Sequence, residues 1–301
     1  MKKTICAVIA LSAATMGFAT LPQAASIDRV TLPGGVAVGM AALSPDGSYA
    51  VVSPLSGQGL QRLDLSTGRM NTISATASPL MLEFTADGSN VLYRESSYDS
   101  DHRRYVSLKA YNVADGRTTT VVEASRNLQG FSAAGNTAVA VENGRMRSRA
   151  LGAEAAAAPR AALSIDRGRL CVSVDGTTAA IAPLGEACNS YLWPSLSPDG
   201  SRIVAFGVGT GAFTCNLDGS DVRLLGMYRA PRWLDNSTIV AMDDHDNGIV
   251  TTASTIMALA ADGSERAALT GSDVVAVFPT AAAGKVAFTT PEGQLYIITL
   301  K

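Results

Sequence analysis

The sequence predicts an all-β fold, a six-bladed β-propeller with seven blades as the alternative, and three observations lead there. Leu-Ser-Pro-Asp-Gly occurs twice, at Leu43–Gly47 and Leu196–Gly200. Each copy is followed by short apolar runs separated by Gly, Asp, Asn and Ser, which is the signature of strands joined by hairpins. Looser copies recur along the chain, and repetition of a four-strand unit is how a propeller is built.

Each turn has a physical cause. Proline presets φ near −65° at the second turn position, aspartate tolerates the bridge region, and glycine closes the turn. After the first copy come Tyr49–Val52, Leu60–Leu65 and Met70–Ile73; after the second come Arg202–Phe206, Ala212–Leu217 and Val222–Leu225. Phe84–Gly88 opens another unit, Phe131–Gly135 a degenerate one, Trp233–Asn236 a fifth and Phe278–Gly284 a sixth. The last unit lacks an outer strand, and Ile27–Leu32 is the expected donor; pairing first with last closes the ring and removes two open sheet edges. The unit from Leu128 to Leu184 is long and carries Gly152–Pro159, read as a loop. Two poor blades there would give seven.

Composition agrees with one closed domain over residues 26–301. The chain has 301 residues, 28 of them glycine, with 47% hydrophobic and 17% charged content. Met1-Lys2-Lys3, the apolar stretch Ile5–Phe18 and small residues through Ala25 read as a secretory signal over residues 1–25, too short for a membrane span. Its cleavage is expected after Ala19 or near Ala24–Ala25, and Cys6 lies too early to be a lipid-modified cleavage-site cysteine. Loss of Lys2 and Lys3 leaves 22 basic residues against 26 acidic ones. An acidic chain without a basic stripe argues against nucleic acid, whose phosphates need Lys and Arg. The expected location is the bacterial periplasm or outside the cell, and the expected state a monomer. Cys171, Cys188 and Cys215 then allow at most one internal disulfide, with Cys171–Cys188 the first choice.

Only two histidines occur. His102 lies with Asp99, Asp101, Arg103 and Arg104 between the second and third strands of the second blade. His245 lies with Asp243, Asp244, Asp246 and Asn247 at the same place in the fifth of six. Such connections emerge opposite the Ser-Pro-Asp-Gly turns, so both acidic loops are expected on one rim, on opposite blades. Tyr191, Trp193, Tyr228 and Trp233 precede first strands and would join them as stacking platforms for a peptide or sugar, or else serve as blade packing. Asp243, Asp244 and Asp246 are a weak metal candidate: the segment partly matches a calcium loop, but His245 at the third position and Ser254 at the twelfth are wrong for it. No cofactor is expected beyond that calcium alternative. No catalytic set is apparent, since Gly130–Gly135 has one residue too many for a nucleophile elbow.

Leu43–Gly47, Phe84–Gly88 and above all Trp193–Val204 followed by Leu217-Asp218-Gly219 resemble the WD40-like repeats of the TolB type, over most of Ala41–Lys301. The resemblance implies a propeller and leaves function open. TolB has an α/β domain before its propeller and partners an envelope complex, and related peptidases carry a hydrolase domain after theirs. Neither domain is expected in this chain. The resemblance therefore implies a binding or scaffold protein docking an envelope protein, peptide or glycan. Since some propellers with similar repeats cleave acidic sugars, the alternative is a polysaccharide lyase or hydrolase, with His102 or His245 as base and Arg103 or Arg104 on a substrate carboxylate.

Overall fold

The computed structural model describes residues 21–78, 81–152, 161–186 and 188–301. Most of the expected signal segment, with Cys6, and residues 153–159 of the expected loop lie outside them.

Seven antiparallel sheets follow one another along the chain. Blade one comprises Val38–Leu43, Tyr49–Pro54, Leu60–Asp64 and Met70–Ser74, and blade two Glu83–Phe84, Asn90–Tyr98, Arg104–Asn112 and Thr118–Ser125. Blades three and four have three strands each: Leu128–Ala134, Thr137–Glu142 and Arg145–Ala150, then Ala161–Asp166, Arg169–Val174 and Thr177–Ile181. Blade five is Tyr191–Leu196, Arg202–Gly207, Gly211–Asn216 and Arg223–Gly226, and blade six Arg229–Trp233, Thr238–Asp246, Thr251–Ala260 and Arg266–Ala268. Blade seven is Val277–Ala282, Lys285–Thr289 and Leu295–Leu300, completed by Ala24–Arg29 from the other end of the chain.

The count is therefore seven, the alternative, and not six. Leu128–Leu184 holds two short meanders whose hairpins are two-residue turns, with positive φ at Asn143-Gly144, Arg167-Gly168 and Asp175-Gly176. Two successive residues at positive φ match the twist of the flanking strands; Arg167-Gly168 joins a first strand to a second, as the longer Ser-Pro-Asp-Gly turns do, while Asn143-Gly144 and Asp175-Gly176 join second strands to third. The closing strand has the expected partner but begins three residues earlier, at Ala24 rather than Ile27.

In the longer turns the aspartate is the brace. Asp46 Oδ1 accepts from Ser44 Oγ at 2.7 Å and from the Ser48 amide at 3.0 Å, and Asp199 repeats this with Ser197 Oγ at 2.6 Å and the Ser201 amide at 3.0 Å. Those bonds, the serine hydroxyl first, hold both carboxyls below the usual range. The core is correspondingly divided, with one apolar cluster in each gap between neighbouring blades. Tyr49, Val51, Val91 and Tyr93 fill the gap between blades one and two, whereas Ala134, Val139, Val141 and Ala162 make a thinner one between three and four. There Gly130 is required, since a Cβ would come within 2.5 Å of the Leu163 carbonyl.

Candidate functional site

Two regions bring polar chemistry to solvent. The first is the face carrying the connections between second and third strands. Its two tallest features are the hairpin of Asn90–Tyr98 with Arg104–Asn112 and that of Thr238–Asp246 with Thr251–Ala260, so His102 and His245 do share a rim. They stand on blades two and six of seven, three steps apart and not diametrically opposite.

Both hairpin tips are braced from within. Asp99 Oδ1 accepts the amides of Asp101 and Arg103, each at 2.9 Å, while Asp99 Oδ2 accepts Tyr105 OH at 3.2 Å. Asp101 pairs with Arg103 at 3.1 Å, and Arg104 Nε donates to Ser96 Oγ at 3.0 Å. In the other hairpin Arg229 Nη1 lies 2.9 Å from Asp244 Oδ2 and 3.1 Å from Asp246 Oδ2, with Asp246 Oδ1 on the Gly248 amide and Asn247 Oδ1 on the Ile249 and Val250 amides. Asp244 is sunk among its neighbours, and burial pushes its carboxyl up against the opposing pull of Arg229. Asp243, His102 and His245 project from these frames; neither imidazole has a hydrogen-bond partner among the described residues.

The metal candidate is not assembled. Among the described residues no three His, Cys, Asp or Glu side chains converge, and the Arg229 guanidinium already lies between the Asp244 and Asp246 carboxylates. The aromatic platform is not assembled either. Tyr191, Tyr228 and Trp233 are buried, Tyr191 edge-on to Phe213 and Trp233 donating Nε1–H to the Ser195 carbonyl at 3.1 Å. Trp193 is half-buried and edge-on to Phe206. First strands lie innermost in a propeller, so their aromatic side chains enter the gaps between blades; that is why the packing reading holds. The three cysteines are free and buried, with no Cys171–Cys188 bridge.

Sequence reading missed a different feature of the same rim. Of twelve exposed large apolar residues among the described residues, nine lie there. Tyr98 crowns one hairpin at 66% exposure, and Ile249 and Val250 crown the other, Ile249 at 89%. Leu55 and Val208 occupy the equivalent loops of blades one and five, and Val36, Met81, Leu192 and Met227 sit where the chain enters a new blade. They lie in loops or at strand ends, singly or as an adjacent pair, which gives no periodic signal.

The second region is the central channel, where a cavity of about 410 Å³ extends toward Pro45 and Pro198 at the Ser-Pro-Asp-Gly turns. Its wall is shaped by bulges in the innermost strands. Register breaks between Leu192 and Ser195, Arg229 and Arg232, and Val277 and Thr280, with Trp193, Ala230 and Phe278 at φ near 50°. Bulges re-aim the side chains that follow, and Ser195, Arg232 and Thr280 all line the cavity. Among the described residues, Glu83 and Arg232 are the only charged ones in that wall. Burial pushes the Glu83 carboxyl up to about 7 despite the positive charge of Arg232, and the carboxylate has no hydrogen bond among the described residues. Arg232 Nη1 donates to the carbonyls of Pro231 at 3.0 Å and Trp193 at 3.4 Å.

No protein-family model and no curated protein matches the chain. Solved structures do match. The β-propeller domain of Cps50 (Swd1) from Myceliophteria thermophila is 10% identical, with 93% of this chain and 100% of that one covered at a TM-score of 0.59. A protein assigned as TolB from Agrobacterium tumefaciens is 13% identical over 86% of this chain and 88% of its own, TM-score 0.53. TolB from Acinetobacter baumannii is 14% identical over 77% of this chain and 53% of its own, TM-score 0.51. At these identities the likeness is one of fold, and the fold is a β-propeller. No described helix is long and apolar enough to cross a membrane.

Proposed function

We propose that the protein is an exported, noncatalytic propeller that docks a protein partner of the cell envelope on the face bearing the two acidic hairpins. The concentration of exposed apolar side chains on that one face carries this reading. A monomeric soluble protein scatters such residues, and their gathering beside charged groups marks an interaction surface. The braced hairpins add to it: Asp99 and Arg229 fix the tips in advance, which lowers the ordering cost of binding. Apolar crowns on both hairpins favour a protein surface over a glycan. Export rests on the signal-like character of residues 1–25.

The test is co-purification from an envelope extract with the mature protein as bait. Tyr98→Ser and the double variant Ile249→Ser/Val250→Ser should each lose the partner while melting at the wild-type temperature. Retention of the same partners by both variants would sink the proposal. The enzymatic reading gains no specific support, because Arg103 and Arg104 are already engaged within their hairpin and the two imidazoles stand on separate blades.

A further inference from the structure

We infer that the channel cavity binds a small zwitterion whose amine and carboxylate are separated by an apolar spacer, the amine on Glu83 and the carboxylate on Arg232. This site is independent of the docking face, since it extends to the opposite, Ser-Pro-Asp-Gly end of the ring.

Position is the first ground. Glu83 and Arg232 occupy equivalent places in the repeat, two residues before the one whose amide bonds across the turn: Thr85 to the Asn90 carbonyl in blade two and Leu234 to the Thr238 carbonyl in blade six. The same place holds Ala42 in blade one and Ser195 in blade five. Two uncharged side chains and two opposite charges thus line one level of the wall. Ring packing does not require those charges.

The second ground is what the charges leave undone. Glu83 and Arg232 influence one another electrostatically, yet they form no ion pair within 4.0 Å. A carboxylate placed deep in a protein without hydrogen bonds is unfavourable. Here it faces open space of about 410 Å³, within the range of small-ligand sites. A ligand ammonium bridging to Glu83 and a ligand carboxylate taken by the Arg232 fork satisfy both. Apart from Ser53, Ser195 and Thr280, the other described residues of the wall, Met40, Leu82 and Pro194 among them, are apolar and suit a hydrocarbon spacer. Because the two charges come from blades three steps apart, a ligand with both charged groups on one carbon fits less well than one with a spacer.

The experiment is calorimetric titration of the full chain with 6-aminohexanoate and with the unblocked dipeptide Leu-Ala, which separate a simple ω-amino acid from a peptide source. Hexylamine, hexanoate and the N-acetylated and amidated dipeptides are the controls. At least one unblocked zwitterion should bind about tenfold or more tightly than its singly charged counterparts, the expectation for a buried charge-assisted contact. Glu83→Gln should abolish the preference for the free amine, and Arg232→Gln the preference for the free carboxylate. Glu83 and Arg232 being the only titratable groups among the described residues of the wall, binding near pH 6.5 should release up to about one proton, read from titrations in two buffers of different ionisation heat. Singly charged analogues that bind as tightly, or no heat from either zwitterion at about 10 mM, would overturn the inference even if the variants fail to fold. Tyr98→Ser should leave this binding unchanged, so the two proposals fail separately.

Discussion

Gln23 and Lys301 bond to each other twice through the backbone, the Gln23 amide to the Lys301 carbonyl at 3.2 Å and the Lys301 amide to the Gln23 carbonyl at 3.0 Å. The ladder continues from Ala24 opposite Leu300 to Arg29 opposite Tyr296. The two ends of the described chain are thus the seam of the ring. The side chains of Ala24–Arg29 are mostly exposed, so the seam is held by backbone bonds more than by apolar burial.

Deleting residues 21–29 from the folded domain should therefore open blade seven. Loss of several backbone hydrogen bonds is expected to cost about 3 kcal/mol or more, lowering the melting temperature by roughly 10 °C. If residues 1–25 include an export signal, cleavage after Ala19 keeps Gln23 and Ala24 in the seam, whereas cleavage at Ala24–Ala25 removes them. Mass spectrometry of the exported protein is expected to give Thr20 as its first residue. A product starting at Ala25 or Ser26, melting as high as one starting at Thr20, would contradict this.

Glu83 should make stability fall with rising pH. Its folded carboxyl is raised by burial from the ordinary 4.5 to about 7, so folding takes up a proton between those values. The cost is absent below about pH 4.5, grows through the window and is complete above 7. Glu83→Gln should flatten the thermal stability profile between pH 5 and 8, with a difference at pH 8 on the order of 1–3 kcal/mol, reduced by whatever Arg232 loses. A variant profile parallel to wild type across that window would show that Glu83 does not titrate there.

Much of this architecture was legible because turn chemistry is local. Ser44-Pro45-Asp46-Gly47 and Ser197-Pro198-Asp199-Gly200 declare themselves within four residues, and so do the hairpins that carry His102 and His245. Blade number was not so local. Asn143-Gly144, Arg167-Gly168 and Asp175-Gly176 each mark a two-residue hairpin, but only the pairing of three strands and then three more shows that they belong to two blades. The channel charges were also within reach: aligning the repeats on their turns sets Glu83 and Arg232 against Ala42 and Ser195. What no pattern could supply was the inward turn of Tyr191, Tyr228 and Trp233, which depends on how neighbouring blades meet.

Cys215 should be inert while the protein is folded. It is fully buried with Phe213 and Ile203 between blades four and five, and burial pushes its thiol up to about 12. A thiolate is the reactive form. Native protein should therefore react slowly with a thiol reagent and release three equivalents from Cys171, Cys188 and Cys215 only on unfolding without reductant. Cys215→Ser places a hydroxyl without an assured partner in that core and should cost about 1–3 kcal/mol. Recovery of a single equivalent would mean that a disulfide forms after all.

Arg229 is a structural charge on the face that carries the two acidic hairpins. Asp244 is 2% exposed, its Oδ2 bonds Arg229, and its Oδ1 has no partner. Replacing Arg229 by Met leaves a nearly buried carboxylate beside Asp246 with nothing to offset either charge. Because Arg229 is 43% exposed, the loss at pH 7 should be about 2 kcal/mol, below that of breaking a fully buried pair. The sign with pH follows from the raised carboxyl of Asp244. Without Arg229 it rises further, so the penalty is present above the folded value and fades as acid protonates the group. Asp246, held low first by the Gly248 amide and then by Arg229, loses part of that support, which acts in the same direction. The melting-temperature gap between Arg229→Met and wild type should therefore narrow between pH 7.5 and 4.5, and adding Asp244→Asn should close most of it at pH 7.5. A gap that stays constant with pH, or that Asp244→Asn does not relieve, would show that Arg229 acts through packing of its stem rather than through its charge.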